Sequence, residues 1–467
     1  MMLRHAATLF GAAPLLSACG GGGPAAQAAT LSSAPASSPV PPAAAPASSP
    51  PAQVVLTVPP AAPAPPWAAG VPTDTWHTLS GTAFRPWADA NIPPGAYRGT
   101  DPFGSIVNAF SDPAHDPAAG AHYFYGGGHG DGTCNAVCKF DHQTLKWSLA
   151  GQPTPPSVYP AGYPGTAAIT YPSGVPFSGW FLSANELTDP RDQPHAAPAL
   201  ARVSTHMYAA AVKRGTRIHY FYLSYAEFDT ATGQWLGREV DLGAQLVTYR
   251  PQYNKLPLQQ GTVAVYDEVT DRIFVTLNPG DSGGGWRSGI MVFNPMTRAI
   301  ESIHETNEST YGLVLNSINI CRVGRSLYCF TKIGFYDQPQ VMNQGFIFDM
   351  DSRSLRRFVI TGDTAGSTYA SSNTQDTIPS FFDGVAIRRW NYQPADRDKI
   401  YSVNPTPIGG TGTTADPYVL KQSVRTIAGP APTRPLFVYS RLSYHGGAKC
   451  ALLLPEAGAD WVTLKLS

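Results

Sequence analysis

The stretch YFYGGGHGDGTCNAVCKFD, residues 123–141, places a histidine in an unusual setting. His129 follows three glycines and precedes a further Gly-Asp-Gly. A histidine on such a loop suits acid–base catalysis or metal binding, because its ring changes charge near neutral pH. The alternative is a turn that merely tolerates histidine among its glycines. The sequence of this stretch alone leaves these alternatives open.

A second candidate is ARVSTHMYAAA, residues 201–211, which carries Arg202, Ser204, His206 and Tyr208 at alternating positions. Alternate residues of a β-strand point to the same side of the sheet. The pattern therefore predicts a polar, titratable face on an otherwise apolar strand. An edge strand with a solvated face would explain any one of these residues, so the set carries more weight than its members.

Two further pairs are candidates for substrate binding. Tyr444 and His445 precede a diglycine in SYHGGAKC, and Tyr311 and Asn316 lie in TYGLVLNSINIC. Other histidines stand apart from one another in the sequence, and we interpret each as an ordinary residue: His122, His142, His195, His219 and His304.

Charge and composition limit the class of protein. The 467 residues include 32 basic and 32 acidic side chains, so the formal net charge is zero and no nucleic-acid partner is indicated. Charged residues make up 14% of the chain and aromatic residues 11%, with 45 glycines and 45 prolines. Few charges, many aromatics and many turn-forming residues favour an all-β fold.

The first 66 residues predict export and a tether. Residues 1–18 have a short apolar run, typical of a signal peptide, and LSAC at residues 16–19 resembles the bacterial lipobox. The resemblance implies cleavage before Cys19 and a lipid on its sulfur, whereas an ordinary signal peptide would leave Cys19 without a role. Residues 19–66 are rich in Ala, Pro, Ser and Gly, which predicts a disordered tether. The predicted location is therefore the periplasm or cell surface, with a lipid anchor as the only membrane contact.

Residues 67–467 contain a recurring pattern. A strand and a glycine cluster are followed by a second strand that ends in Phe-Asp or Phe-Asn, then a Thr and a late aromatic or apolar residue. The copies are KFDHQTLKW, EFDTATGQW, VFNPMTRAI and IFDMDSRSLRRF. This pattern resembles the kelch repeat and, more loosely, the galactose-oxidase-like propellers.

The resemblance implies a closed β-propeller of four-stranded blades, since one blade cannot bury its faces alone. Repeats of about 50 residues give six to eight blades, and seven is our preferred number. WHTLSG at residues 76–81 and DWVTLKL at residues 460–466 are expected to share one blade and close the ring. A β-sandwich with long loops is the rival fold, but it does not explain the recurring Phe-Asp and Thr.

The cysteines predict structural disulfides. Cys321 and Cys329 flank RVGRSLY, so a hairpin centred on Gly324 and Arg325 would place them opposite each other. Cys134, Cys138 and Cys450 leave two alternatives, a bridge from the first blade to Cys450 or a local bridge. Zinc binding by CNAVC lacks the second ligand pair that such sites use. We expect no metal and no cofactor.

A narrower resemblance concerns function. YGGGHGDG followed by THMY is similar to a pattern in bacterial secreted propellers that include the propeller-type ulvan lyases. The resemblance implies cleavage of an acidic polysaccharide by β-elimination, with these catalytic residues: His129, Arg202, His206 and Tyr208. The insertion CNAVC departs from that pattern. Copper chemistry of the galactose-oxidase type lacks a suitable Cys–Tyr context, and no G-x-S-x-G motif marks a nucleophilic serine.

Two functions therefore remain. The first is an exported carbohydrate-active enzyme, a polysaccharide lyase, and the second is a non-catalytic propeller that binds a glycan or a protein partner. Fold alone does not decide between them. For either function we expect a monomer.

Overall fold

The structure is a computed structural model, and the residues it describes are 61–93, 103–108, 113–126, 134, 136–153, 169–170, 176–177, 210–221, 224–249, 262–277, 289–305, 314–333, 340–363, 368–369, 379–391, 395–432 and 442–467. For some residues within strands and helices, Asn316 among them, only the backbone is described.

The strands in these ranges are β1 (Trp76–Leu79), β2 (Ala114–Asp116), β3 (Ala121–Phe124), β4 (Val137–Asp141), β5 (Lys146–Gly151), β6 (Ile169–Thr170), β7 (Pro176–Phe177), β8 (Ala211–Arg214), β9 (Arg217–Phe221), β10 (Ser224–Asp229), β11 (Gln234–Asp241), β12 (Ala264–Asp267), β13 (Arg272–Leu277), β14 (Gly289–Asn294), β15 (Ala299–Glu305), β16 (Val314–Val323), β17 (Ser326–Ile333), β18 (Gln340–Asp349), β19 (Ser354–Gly362), β20 (Thr368–Tyr369), β21 (Ser380–Phe382), β22 (Ile387–Trp390), β23 (Lys399–Val403), β24 (Tyr418–Thr426), β25 (Leu442–His445), β26 (Cys450–Leu453) and β27 (Trp461–Lys465). The helices are α1 (Phe84–Asn91), α2 (Gly104–Asn108), α3 (Leu242–Tyr249) and a 3-10 turn, Pro66–Gly70.

Apart from β6 and β7, which pair with each other, and β20, which pairs with β18, the strands of the described part of the chain form six antiparallel four-stranded units, which confirms the predicted all-β propeller fold. Sheet 1 is β2–β5, sheet 2 is β8–β11, sheet 3 is β12–β15, sheet 4 is β16–β19, sheet 5 is β21–β24, and sheet 6 is β25–β27 with β1. The outer strands β19 and β24 also pair in parallel, so sheets 4 and 5 are continuous. Six lies within the predicted range, and the preferred number of seven is not confirmed.

The first and last strands of the ring share sheet 6, as the sequence predicts. β1 pairs antiparallel with β27, with Trp76 opposite Leu464 and Leu79 opposite Trp461. The outermost strand of this sheet therefore comes from the start of the folded chain and the other three from its end. The ladder closes the ring non-covalently and covers an otherwise open sheet edge.

The recurring Phe and its late partner form one cross-strand pair in each of four sheets. The pairs are Phe140 with Trp147, Phe228 with Trp235, Phe293 with Ile300 and Phe348 with Leu355. All four Phe side chains are fully buried. The pair sits between neighbouring sheets, as the ring of Phe140 shows by stacking on Trp461 of sheet 6 at 4.6 Å. These pairs explain why the pattern repeats, since each sheet must bury the face of the next.

The Asp that follows the Phe has a different task, which is to cap a tight turn. In sheet 4, Asp349 Oδ1 accepts hydrogen bonds from the backbone N–H groups of Asp351 and Ser352, at 3.1 and 2.7 Å. Four residues after the Asp, the backbone is left-handed, with φ of 54° at Arg353. Asn294 caps the equivalent turn of sheet 3. Asp and Asn suit this position because their short side chains reach the backbone two residues on.

The strand directions give the ring two distinct ends. The inner strand of each sheet is the one that contacts the inner strands of neighbouring sheets, and the outer strand is at the opposite edge; the inner strands are β2, β8, β12, β16, β21 and β25, and the outer strands are β5, β11, β15, β19, β24 and β1. The tight turn after each inner strand and the turn before each outer strand lie at one end of the ring, which we call the turn end. Ion pairs between consecutive sheets tie these turns together: Asp116 with Lys213, Arg214 with Asp271, Asp267 with Arg325, and Glu301 with Arg353. The opposite end, where the middle strands of each sheet are joined and each inner strand begins, we call the connection end.

Residues 61–70, the N-terminal strap, pack against the turn end. Ala62 donates its backbone N–H to Pro117 O at 2.9 Å, and the indole of Trp67 donates to His142 O at 2.6 Å. Residues 61–66, which the composition assigns to the tether, thus lie on the propeller. None of the helices in the described ranges has the length and apolar character needed to cross a membrane.

The predicted disulfide between Cys321 and Cys329 is wrong. The hairpin pairs Val323 with Ser326, so Cys321 lies opposite Tyr328 and Cys329 lies opposite Ile320. The offset of one residue sends the two side chains to opposite faces of sheet 4, where each is buried in a different apolar cluster. The five cysteines in the described part of the chain, which also include Cys134, Cys138 and Cys450, all carry free thiols.

Candidate functional site

Most of the predicted catalytic and binding residues lie outside the described residues: His129, Arg202, His206, Tyr208 and Tyr311. Asn316 lies on β16, with only its backbone described. Their roles stay predictions, as does the lipid attachment at Cys19. Tyr444 and His445 are described, and both belong to the inner strand β25 of sheet 6.

Tyr444 faces the neighbouring inner strand. Its ring stacks on Phe381 of β21 with centroids 5.4 Å apart and planes 8° from parallel. Burial raises the pKa of its hydroxyl, and the nearby Asp383 adds to the rise. The hydroxyl therefore stays protonated at neutral pH. The ring of Tyr444 therefore packs between sheets 5 and 6. Its role in substrate binding stays a prediction.

His445 caps a turn in the manner of the repeated Asp. Its Nδ1 accepts a hydrogen bond from the backbone N–H of Ala448 at 3.1 Å, and Lys449 has a left-handed φ of 52°. The side chain is 2% exposed. A histidine here buries a larger ring than Asp would, at the seam where sheet 6 meets sheet 1.

That ring belongs to a group of four, which we call the histidine cluster: His115, His122, His142 and His445. His115 and His122 are cross-strand partners on β2 and β3, and their rings stack at 4.7 Å. His142 Nε2 lies 2.6 Å from His122 Nδ1, a hydrogen bond that one ring donates to the other. The rings of His142 and His445 lie 5.4 Å apart. His122 and His142, expected to be isolated, are therefore in direct contact.

The surroundings of the cluster are apolar. His122 also stacks on the buried indole of Trp461, with centroids 5.1 Å apart. Burial lowers the pKa of His115 to about 4 and holds the pKa values of His122 and His142 well below the usual range, with the neighbouring rings lowering them further. Burial also lowers the pKa of His445. All four rings are therefore neutral at pH 7.

Three nitrogens of the cluster have no hydrogen-bond partner among the described residues: His115 Nε2, His142 Nδ1 and His445 Nε2. The approach around them is tight. A Cβ added to Gly120 would lie 3.1 Å from His445 Nε2 and 3.1 Å from the Ala62 side chain. The strap and the turn after β2 thus pack closely against the cluster.

A second buried polar group lies between sheets 2 and 3, and we call it the carboxylate network. Glu227, 1% exposed, accepts from Arg217 at 2.8 Å, from Arg298 of sheet 3 at 2.9 Å and from the hydroxyl of Tyr225 at 2.8 Å. The Tyr225 hydroxyl also lies 2.6 Å from His219 Nδ1. Burial and nearby arginines lower the pKa of His219 to about 3.

Neither group is arranged as a metal centre. In the described ranges, no set of three or more His, Cys, Asp or Glu side chains has the geometry to hold a metal ion. The close contact between His122 and His142 explains part of this, because two ring nitrogens 2.6 Å apart share a proton more readily than a metal.

Sequence reasoning missed the histidine cluster because its members are spread over residues 115–445. One signal was available, since three of the four lie next to or in a capped turn. His115 precedes Asp116 and His142 follows Asp141, and each of these Asp side chains caps its turn. His445 itself takes the position of the capping residue in the turn after β25. Once sheets 1 and 6 are neighbours, these turns lie side by side.

Comparisons with known proteins assign no family to this chain. No family model matches the chain, and no curated protein matches it. Among solved structures, BamB from Moraxella catarrhalis is similar at 10% identity, covering 76% of this chain and 82% of that one with a TM-score of 0.33. Sqt1 from Saccharomyces cerevisiae is similar at 12% identity, covering 80% of this chain and 99% of that one with a TM-score of 0.34. At these identities and scores, neither similarity says what this chain binds or does.

Proposed function

We propose that this chain is an exported, lipid-anchored, carbohydrate-active propeller: a lyase that cleaves uronate-containing polysaccharides by β-elimination. The observation that supports it is topological. His129 lies in the sequence between β3 and β4, residues 202–208 directly precede β8, and Tyr311 directly precedes β16. Those strand ends all belong to the connection end, so residues far apart in the sequence attach to one end of the ring.

The residue types match the chemistry. In β-elimination the C5–H bond of the uronate breaks, its electron pair forms a C4–C5 double bond, and the bond from C4 to the glycosidic oxygen breaks. Arg202 would neutralise the carboxylate and so acidify the C5 proton. His129, His206 or Tyr208 would accept that proton, and another of the three would protonate the leaving oxygen. No metal or cofactor is required by this scheme.

The resemblance to kelch-type propellers and to the ulvan lyases supports this proposal through two short motifs. Tyr311, Asn316, Tyr444 and His445 complete it as the proposed substrate contacts. Tyr444 and His445 differ from the others, since both lie where β25 approaches the turn end.

The second candidate is a non-catalytic propeller that binds a glycan or a protein partner. It is favoured by one observation: the two titratable clusters of the described residues are buried between sheets and engaged in packing. Under the lyase proposal, catalysis would therefore have to take place at the connection end.

The test is to incubate the full chain with a panel of uronate-containing polysaccharides and follow the ultraviolet absorbance of the unsaturated sugar. We expect product from at least one acidic glycan, and its loss in His206→Ala and in Tyr208→Phe. His304→Ala and Tyr249→Phe are matched controls on sheet 3 and on α3, and both should retain activity. A folded wild-type chain that gives no product on any member, but retains a glycan in affinity electrophoresis, would favour the binding propeller instead.

A further inference from the structure

The histidine cluster sits where three parts of the chain meet. His115, His122 and His142 belong to sheet 1, and His445 belongs to sheet 6. The strap covers the turns that carry them. The packing of sheet 6 against sheet 1 and the attachment of the strap therefore both involve the turns that carry these histidines.

The strap is held through those turns. Trp67 donates to the carbonyl of His142 itself, and Gln143 Nε2 donates to Pro63 O at 2.6 Å. Ala62 N–H donates to Pro117 O, in the turn that joins His115 to His122. The strap sequence AAPAPPWAAG contains no charged residue, so it has no means of compensating a charge beneath it.

The other elements around the cluster offer little compensation. On β2, Asp116 is the one carboxylate whose charge favours protonation of His115, and it is already paired with Lys213 at 3.2 Å. On β4, Asp141 is paired with Lys139 at 3.2 Å, and Lys139 opposes protonation of His142. After β25, Lys449 is a cation, and β27 contributes the apolar ring of Trp461.

We propose that the histidine cluster is a pH-sensitive latch, which holds the strap against sheets 1 and 6 while its rings are neutral and releases it when they are protonated. A proton on either member of the His122–His142 pair leaves the shared hydrogen bond intact, but a second proton sets two cations 2.6 Å apart. Relief requires water at this pair, and His122 and His142 are only 1% and 0% exposed, so hydration of the pair requires the strap to lift. The latch does not depend on the proposed elimination chemistry at the connection end.

His219 serves as an internal control for the histidine cluster. His219 is also buried, yet its ring bonds to Tyr225 within the carboxylate network, and the contacts of the strap in the described residues are to sheets 1 and 6 instead. As the pH falls, the contacts between sheets 6 and 1 should therefore weaken before the contacts between sheets 2 and 3.

Hydrogen–deuterium exchange of the full chain tests the latch, at about pH 7.5 and about pH 5, with exchange times corrected for the intrinsic rate at each pH. We expect peptides that cover residues 61–70 and the turn at residues 117–120 to lose about tenfold or more of their protection at the lower pH. Peptides from β13 and β14 should keep theirs. Equal protection of the strap at both pH values would overturn the proposal, as would equal loss in all of these peptides.

Variants separate the latch from general instability. His122→Gln removes a protonatable ring from the cluster, and His445→Asn removes another while keeping an acceptor for Ala448 N–H. Each should show a smaller acid-induced loss of strap protection than the wild type, whereas His304→Gln, on sheet 3, should behave like the wild type. If His122→Gln loses the strap at both pH values, His445→Asn carries the test. Wild-type acid sensitivity in His445→Asn would then contradict the latch.

Discussion

The two ends of the propeller are built differently. At the turn end, titratable side chains take part in short capped turns, in ion pairs between consecutive sheets and in two buried polar groups. At the connection end, most of the strands are joined by longer segments, and the sequences GGGHGDG and the alternating Arg, His and Tyr lie in two of them. The difference indicates that electrostatic contacts at the turn end stabilise the ring, and our proposal assigns function to the connection end.

This division predicts opposite outcomes for substitutions at the two ends. A connection-end variant should lose activity and keep its stability, and a turn-end variant should do the reverse. Loops that carry function on a rigid scaffold behave in this way in many folds.

The largest effect is expected for the proposed acid–base residues. His206→Ala should lower the rate of elimination by about 100- to 10,000-fold, because a positioned proton donor or acceptor contributes that much. Its free energy of unfolding in urea should stay within about 0.5 kcal/mol of the wild type. If the activity of the variant fell only in proportion to its fraction of folded protein, the proposed division between the two ends would be wrong.

At the turn end, Glu227→Ala should cost about 2–4 kcal/mol of unfolding free energy, because it leaves the partly buried guanidinium of Arg298 and the buried hydroxyl of Tyr225 without the carboxylate they share. Asp89→Ala breaks the exposed pair of Asp89 with Arg85 on α1 and should cost no more than about 0.5 kcal/mol. Urea unfolding at pH 7 measures both. The specific activity of the Glu227→Ala molecules that remain folded should be unchanged.

Acid should weaken the fold through the histidine cluster. The folded-state pKa of His115, about 4, lies below its unfolded value near 6.5, so the unfolded chain binds more protons between these values. The free energy of unfolding should therefore fall as the pH drops below about 6.5, by about 3 kcal/mol from His115 alone at about pH 4. The carboxylates with lowered pKa values, such as Asp271, lose their contribution only at more acidic pH.

Urea unfolding across this pH range measures the effect, and His122→Gln should reduce the slope. A flat profile between about pH 6.5 and about pH 4 would contradict neutral histidines in the cluster.

The smallest effect concerns the capped turns. Asp349→Ala removes the acceptor for two backbone N–H groups and for the Ser352 hydroxyl, and should cost about 1 kcal/mol. Asp349→Asn should stay close to the wild type, because Asn294 does the same task in sheet 3. Thermal unfolding distinguishes the two, and equal losses would show that the charge, and not the acceptor, matters.

The sequence predicts the fold well because the repeat has a physical cause in every sheet. The Phe fills the space between sheets and its late partner lies directly opposite, so spacing alone identifies the hairpin. The shared sheet at the ring closure follows from two strand-like ends. The Cys321–Cys329 bridge failed because a two-residue turn at Gly324 and Arg325 pairs Val323 with Ser326 and therefore Cys321 with Tyr328, whereas a bridge would need the hairpin centred on Arg325 alone.

The histidine cluster could not be predicted in the same way. Its four members come from three turns and two sheets, and only the ring closure brings His445 to the others. Local sequence shows that each histidine lies beside a turn, but the spatial order of sheets decides which turns meet. The proposed catalytic residues depend on the same long-range order, which is why the topology of their flanking strands is the available support.

The most direct test measures activity and stability together in His206→Ala and Glu227→Ala. We expect His206→Ala to lose elimination activity on an acidic polysaccharide while it unfolds in urea like the wild type, and Glu227→Ala to lose stability while it keeps the specific activity of the wild type. The opposite pairing, with an inactive but stable Glu227→Ala and a fully active His206→Ala, would contradict the division between the two ends.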